Sequence, residues 1–123
     1  MKFDDLSNKV IGCAIEVHRN IGPGLLESAY QRCLAHEFQM QTIPFVVEHP
    51  LPVEYKGVRL DCGYRADFIV DGKLIIELKS VDKLIPVHEA QLLTYMKLAK
   101  TPVGLLMNFN VPCLRHGIKR MVL

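Results

Sequence analysis

The chain has 123 residues, half of them hydrophobic, and fifteen Lys and Arg against thirteen Asp and Glu give a formal net charge of +2. That length supports a single domain with one core, spanning 1–123, and leaves no room for a second. Neither a disordered chain nor a uniformly basic one fits this composition, so any surface that grips nucleic acid has to be local.

In chain order, Asp4 or Asp5 can cap a first helix that runs to about Arg19, with Leu6, Val10, Ala14 and Val17 at helical spacing and Cys13 beside them. Asn20-Ile21-Gly22 breaks that helix. Pro23 and Gly24 start a second one, since proline suits a first turn, and it reaches Glu37 or Met40. Leu26, Ala29, Tyr30, Cys33 and Leu34 lie along one of its sides. From Ile43 the texture turns extended: F-V-V-E-H-P-L-P-V-E-Y reads as one or two strands, with Pro50 and Pro52 marking an edge or a bend. Lys56-Gly57 is a turn, and Val58 to Val70 is expected to continue as strand.

The stretch R-A-D-F-I-V-D-G-K-L-I-I-E-L-K, Arg65 to Lys79, then reads as two antiparallel strands around Asp71-Gly72, a dipeptide suited to tight turns. Asp67, Glu77 and Lys79 interrupt an otherwise apolar run, and an ionised group there needs a partner, a metal or water. Side chains alternate faces, so Glu77 and Lys79 share one face with Leu78 opposite. A two-residue loop sets Asp67 across from Ile76; a three-residue loop, Val70-Asp71-Gly72, brings the odd-numbered charges together. The odd loop is the expectation. Ser80 to Lys83 is a connection, Pro86 opens a third helix to about Lys100, and Thr101-Pro102 ends it. Val103 to Phe109 is a nearly continuous apolar run, as for a strand covered on both faces, and Ile118 to Leu123 adds an edge strand. A helix between two strands is a crossover, which makes those strands parallel neighbours. The fold class is α/β: a mixed sheet flanked by helices, in the order α-α-β-β-β-α-β.

The four cysteines, Cys13, Cys33, Cys62 and Cys113, are too scattered for a zinc site or a disulfide framework and read as reduced thiols. The start, M-K-F-D-D-L, lacks an apolar signal core, and no apolar run approaches the ~20 residues of a membrane span. A cytoplasmic protein with no membrane attachment is the expectation.

Asp67 and Glu77 on adjacent strands offer the hard oxygen ligands that Mg²⁺ or Mn²⁺ prefers, and Lys79 beside them can place a water or offset charge on a phosphate. The bland alternative is an exposed Lys–carboxylate salt bridge. Glu27 is a helix-borne acid three residues before Tyr30, and such residues are usually solvated. Gln91 and Tyr95, four apart, share a helix face with His88 one turn earlier, and can bond a phosphate or simply form a polar surface. His18 and His88 read as structural or exposed.

Taken together these residues carry a resemblance. Asp67 followed by Glu77-Leu78-Lys79 resembles the D…(D/E)xK signature of the PD-(D/E)XK nuclease superfamily, which has the restriction-endonuclease-like fold. Gly24-Leu25-Leu26-Glu27-Ser28-Ala29-Tyr30 is similar to the G-x-x-E-x-x-Y motif of a small bacterial and archaeal family within it. Gln91-Leu92-Leu93-Thr94-Tyr95 is similar to the Q-x-x-x-Y motif of its exonuclease branch. The resemblance covers nearly the whole chain; Ala66 replaces the proline of the superfamily's name, a position that bears no chemistry. It implies a core of helix, three strands, helix and strand, with Glu27, Asp67 and Glu77 as ligands for one or two Mg²⁺ (or Mn²⁺) ions. It implies that Lys79 acts on the attacking water and that Gln91 and Tyr95 line the site toward the phosphate. The implied activity is metal-dependent hydrolysis of phosphodiester bonds in DNA, in a chain small enough that a homodimer would help hold a duplex. The alternatives are a nuclease-fold module that binds nucleic acid or regulates without turnover, and a structural protein whose carboxylates are surface ion pairs.

Overall fold

A computed structural model describes residues 3–123. Helix α1, Asp5–Ile21, begins at Asp4, whose carboxylate accepts hydrogen bonds from the Ser7 N–H at 3.0 Å and the Ser7 hydroxyl at 2.7 Å. Asp4 rather than Asp5 is therefore the cap, and these bonds hold its carboxyl down at about 2. The buried stripe of α1 includes Val10, Cys13, Ala14 and Val17, as the helical spacing predicted.

Helix α2, Glu27–Met40, starts three residues later than the Pro23-Gly24 expectation. Gly24 takes a φ of +98°, outside the right-handed helical region, so the loop cannot turn helical until it has passed. The Tyr30 hydroxyl fastens that loop, donating to the Gly22 carbonyl at 2.7 Å and accepting from the Leu25 N–H at 3.1 Å. Leu26 does not join the core face: it is 78% exposed, and Tyr30, Leu34 and Phe38 form the buried side.

Strand β1 (Phe45–Pro50) is followed by a short hairpin, β2 (Val53–Tyr55) and β3 (Val58–Leu60), which makes its own two-stranded sheet. Val58 to Val70 is thus not one strand. The chain leaves extended geometry at 61–64, where Gly63 has a φ of +80° and its N–H donates to the Asp61 carboxylate at 3.0 Å. Strands β4 (Arg65–Val70), β5 (Leu74–Lys79), β6 (Val103–Asn108) and β7 (Ile118–Val122) complete the main sheet, in the order β1-β4-β5-β6-β7. Between β5 and β6 the chain crosses over through α3, Pro86–Ala99, and these two strands are parallel; the other neighbours are antiparallel. With the β2–β3 excursion set aside, the helix and strand order is the one the sequence predicts, with the edge strand expected from Ile118 present as β7. His88 and His18 both serve structure: His88 Nδ1 accepts from the Ile85 N–H at the start of α3, and His18 Nε2 meets the Val111 carbonyl at 2.8 Å.

Core packs on both faces of the sheet. Leu74, Ile76 and Leu78 of β5 belong to the cluster with Val10, Tyr30 and Leu34 of α1 and α2, whereas Ile75 packs with Leu92, Tyr95 and Met96 of α3. This period of two is what fixes the two sides of the site: Leu78 faces α2, and Glu77 and Lys79 face α3. No helix among the described residues is long and apolar enough to cross a membrane.

Candidate active site

The site lies at the open end of the β4–β5 hairpin. Pairing runs Val70 with Leu74, Ile69 with Ile75 and Phe68 with Ile76, so three residues, Asp71-Gly72-Lys73, form the loop. An odd loop was expected, but placed one residue earlier. Asp71 and Gly72 both have positive φ, +51° and +63°, and the Lys73 N–H donates to the Val70 carbonyl at 3.0 Å. That is a mirror-image two-residue turn with Lys73 as the extra residue, and the extra residue restores the odd count.

The next pair in this register is Asp67 and Glu77, and there the backbone ladder stops. The Asp67 N–H donates to Glu77 Oε2 at 2.8 Å, and the Leu78 N–H donates to Asp67 Oδ2 at 2.8 Å. Each carboxylate has taken the place of a carbonyl across the strand gap. Two acids are thereby held side by side where water is scarce. Burial pushes the Asp67 carboxyl up to about 6, against the Leu78 hydrogen bond and with the charges of Glu48 and Glu27 adding to it. Burial also pushes Glu77 up to about 8, helped by the charge of Asp67.

Lys79 follows on the same face as Glu77. Its ammonium donates to Gln91 Oε1 at 3.1 Å, and Gln91 Nε2 donates to the Tyr95 hydroxyl at 3.1 Å. The expected i,i+4 pair on α3 therefore exists as a relay from the lysine, and an amide, not the carboxylate of a salt bridge, holds the amine. Tyr95 is more buried than a polar helix face implies, at 7% exposure, and burial raises its phenol above the ordinary range.

Glu27 approaches from the other side. As the first residue of α2 it suits the positive end of the helix dipole, and it lines a cavity of about 150 Å³ with Ser28, Gln31, Glu48, Asp67 and Leu78. Its place is set by the loop before it, because the Ser80 hydroxyl just after β5 donates to the Leu25 carbonyl at 2.6 Å. Ser80 in turn precedes Val81, which the buried Asn108 side chain grips through both N–H and carbonyl at 3.1 and 3.0 Å.

Glu48 escaped the sequence reading. It stands opposite Asp67 in β1, between the pairs Val47–Phe68 and His49–Ala66, and its φ of +50° takes it out of the ladder. The amide of Gln31 bonds both its carboxylate and the Asp67 carbonyl, each at 3.2 Å. An acid inside the apolar run V-V-E-H was the available signal; the left-handed backbone was not legible. A strained non-glycine residue beside a half-buried acid is the kind of position that functional sites retain.

The structure thus brings Asp67, Glu77 and Lys79 together with Gln91 and Tyr95 on the α3 side, and Asp67 with Glu27 and Glu48 on the α2 side. Among the described residues, no three His, Cys, Asp or Glu side chains are grouped tightly enough to hold an ion as they stand. The donor set nonetheless fits a hard cation. Asp67 and Glu77 each leave one carboxylate oxygen outside the backbone hydrogen bonds just described, and a half-buried and a buried carboxylate that repel one another are relieved by a divalent charge.

A mixed sheet in this element order, with two acids and a lysine at the open end of its central hairpin, defines a restriction-endonuclease-like protein. A family model described as the PD-(D/E)XK nuclease superfamily matches residues 4–121. The chain belongs to the PD-(D/E)XK nuclease superfamily. No curated protein and no solved structure gives a significant match. Membership points to nuclease-type function, with nucleic acid as the class of substrate.

Proposed function

We propose that the chain is a Mg²⁺- or Mn²⁺-dependent nuclease that hydrolyses phosphodiester bonds of DNA in the cytoplasm, and that it belongs to the branch marked by G-x-x-E-x-x-Y. The observation that carries this is the pair of half-buried Asp67 and buried Glu77, bonded across the strand gap, with Lys79 next to it on the α3 face. A bound divalent cation supplies charge that polarises the scissile phosphate and acidifies a water. Asp67 and Glu77 would hold it, and Glu27 would add a carboxylate from the rim of the α2 cavity. Lys79, aligned by Gln91, places the nucleophile and offsets charge gathering on the phosphate, while Tyr95 fixes the Gln91 amide. The roles of Gly24 and Tyr30 support the branch assignment, since both shape the loop that presents Glu27. Pairing of two copies would widen the surface that grips a duplex.

The test is incubation with linear, circular and single-stranded DNA in Mg²⁺, Mn²⁺ or EDTA. Cutting should require metal. Glu77→Ala should lose both cutting and the thermal shift with Mn²⁺. Lys79→Ala should keep the shift and lose about 10²–10⁴-fold in rate, the usual worth of one acid–base group; cutting at the wild-type rate sinks the mechanism.

A second reading is a nucleic-acid-binding or regulatory module on the nuclease fold. It is favoured by the exposed position of Glu27 and the lack, among the described residues, of a ready three-acid group. It predicts gel retardation of DNA without cutting in any metal.

A further inference from the structure

We infer that Tyr64 is a stacking platform for an unpaired base of a single-stranded DNA substrate, placed beside the candidate active site. The inference rests on the nuclease reading above and adds a preference for single strands to it.

Tyr64 differs from the tyrosines that serve packing. Tyr30 is fully buried and Tyr95 is 7% exposed, yet Tyr64 leaves 46% of its surface in solvent. Its ring leans on that of Tyr95 with centroids 5.9 Å apart and planes at 54°. Tyr95 is the end of the relay through Gln91 to Lys79, so the exposed ring stands one residue beyond the polar chain that would meet the phosphate. A strand whose phosphate lies at the carboxylates carries its neighbouring base along this side of the site.

The backbone under Tyr64 is fixed rather than loose. Its carbonyl accepts from the Leu51 N–H at 2.8 Å, and the turn before it is closed by the Gly63 N–H on Asp61. An aromatic ring held out on a pinned loop loses little conformational freedom when a base stacks on it. Charge fits the same occupant. The excursion from Val53 to Arg65 carries Lys56, Arg59 and Arg65 among the exposed Tyr55 and Tyr64, and Lys56 lies 5.4 Å from the centre of the Tyr55 ring. Of its two acids, Glu54 and Asp61, the second is occupied with the Gly63 N–H. Interleaved cations and rings are what follow a phosphate backbone while accepting bases of any sequence.

The experiment measures binding of a twelve-nucleotide oligo(dT) and of a blunt duplex, in EDTA so that nothing is cut, together with a strand containing 2-aminopurine to report stacking by quenching. Wild type should bind the single strand and quench the probe. Tyr64→Ala should weaken single-strand binding by about 5- to 140-fold, the equivalent of one stacked base, abolish the quenching, and leave duplex affinity unchanged. Tyr64→Phe and Tyr64→Trp should keep both, because the ring and not the hydroxyl does the stacking. The inference is overturned if Tyr64→Ala binds the single strand as wild type does, or if Tyr64→Phe loses as much as Tyr64→Ala. It is also overturned if Tyr64→Ala instead changes the sedimentation of the protein alone, which would make a second copy the occupant. Wild type that binds neither DNA form defeats the nuclease reading as well; wild type that binds DNA while Tyr64→Ala binds the single strand equally well defeats only the stacking site.

Discussion

The two ends of one hairpin, about five residues apart along β4 and β5, obey opposite rules. At the turn end Phe68, Val70, Leu74 and Ile76 are fully packed, and every pairing is backbone to backbone. At the open end the same strands present Asp67 and Glu77, and side-chain oxygens replace carbonyls as acceptors. The apolar end has no chemistry and supplies rigidity; the acidic end carries two uncomfortable charges that only a rigid neighbour can hold together. Burying an ion is unfavourable unless something answers its charge, so the open end needs a partner that the apolar end does not.

The largest effect that this contrast predicts falls at the last laddered position. Phe68 is fully buried and its ring meets those of Phe38 and Phe45 at 5.3 and 5.8 Å. Phe68→Ala should cost about 3–5 kcal/mol in urea unfolding, as large truncations in cores do. Asp67→Asn, one residue away, should cost far less and leave the fold intact. If the two variants are equally damaging, the ends are not separate in function.

Next in size is the linkage at Glu77. Its folded carboxyl is raised from 4.5 to about 8, so the unfolded chain gives up a proton that the folded chain keeps. Metal-free wild type should therefore lose stability as pH rises from 4.5 toward 8, and Glu77→Gln should lose less over that window. Added Mn²⁺ should reverse the trend, because the ion needs both carboxylates charged, and a saturating excess of 100 times Kd adds about 2.7 kcal/mol. Glu77→Gln should abolish that gain. Thermal melts at several pH values, with Mn²⁺ and with EDTA, read both signs; a metal shift retained by Glu77→Gln would place the ion elsewhere.

The same contrast explains what the sequence made legible. Alternation in β5 and the apolar run of β6 follow from burial on both faces, a property of residue type and period, so the sheet, the crossover and the shared face of Glu77 and Lys79 could all be read. Helix α2 was misplaced because Pro23 is as compatible with a helix start as with a bend, and only the φ of Gly24 decides. Val58 to Val70 was read as one strand although Asp61 and Gly63 are the local marks of the turn at 61–64, closed by the Gly63 N–H on the Asp61 carboxylate. Glu48 and Tyr64 were missed for another reason. Each matters through a neighbour distant in the chain, Asp67 for one and Tyr95 for the other, and through a backbone geometry that residue type does not announce.

A smaller effect is expected at the turn. Gly72 has a φ of +63° and open space where a Cβ would go, so Gly72→Ala is a pure test of backbone strain. About 1 kcal/mol should be lost, and Gly72→Asn should recover part of it because Asn tolerates the left-handed region.

The smallest is the charge pair beside it. Lys73 and Asp71 approach to 3.6 Å with side chains 74% and 45% exposed. Water screens such a pair, and ordering two side chains offsets what attraction remains, so Lys73→Ala should change stability by no more than about 0.5 kcal/mol, less in high salt. Lys79 is also a lysine on the same hairpin, at its open end, yet its loss should leave the fold in place and lower the cutting rate by about 10²–10⁴-fold. Should Lys73→Ala prove as consequential for unfolding as Phe68→Ala, then burial does not separate the two ends, and the low solvation around Asp67 and Glu77 is not what distinguishes them.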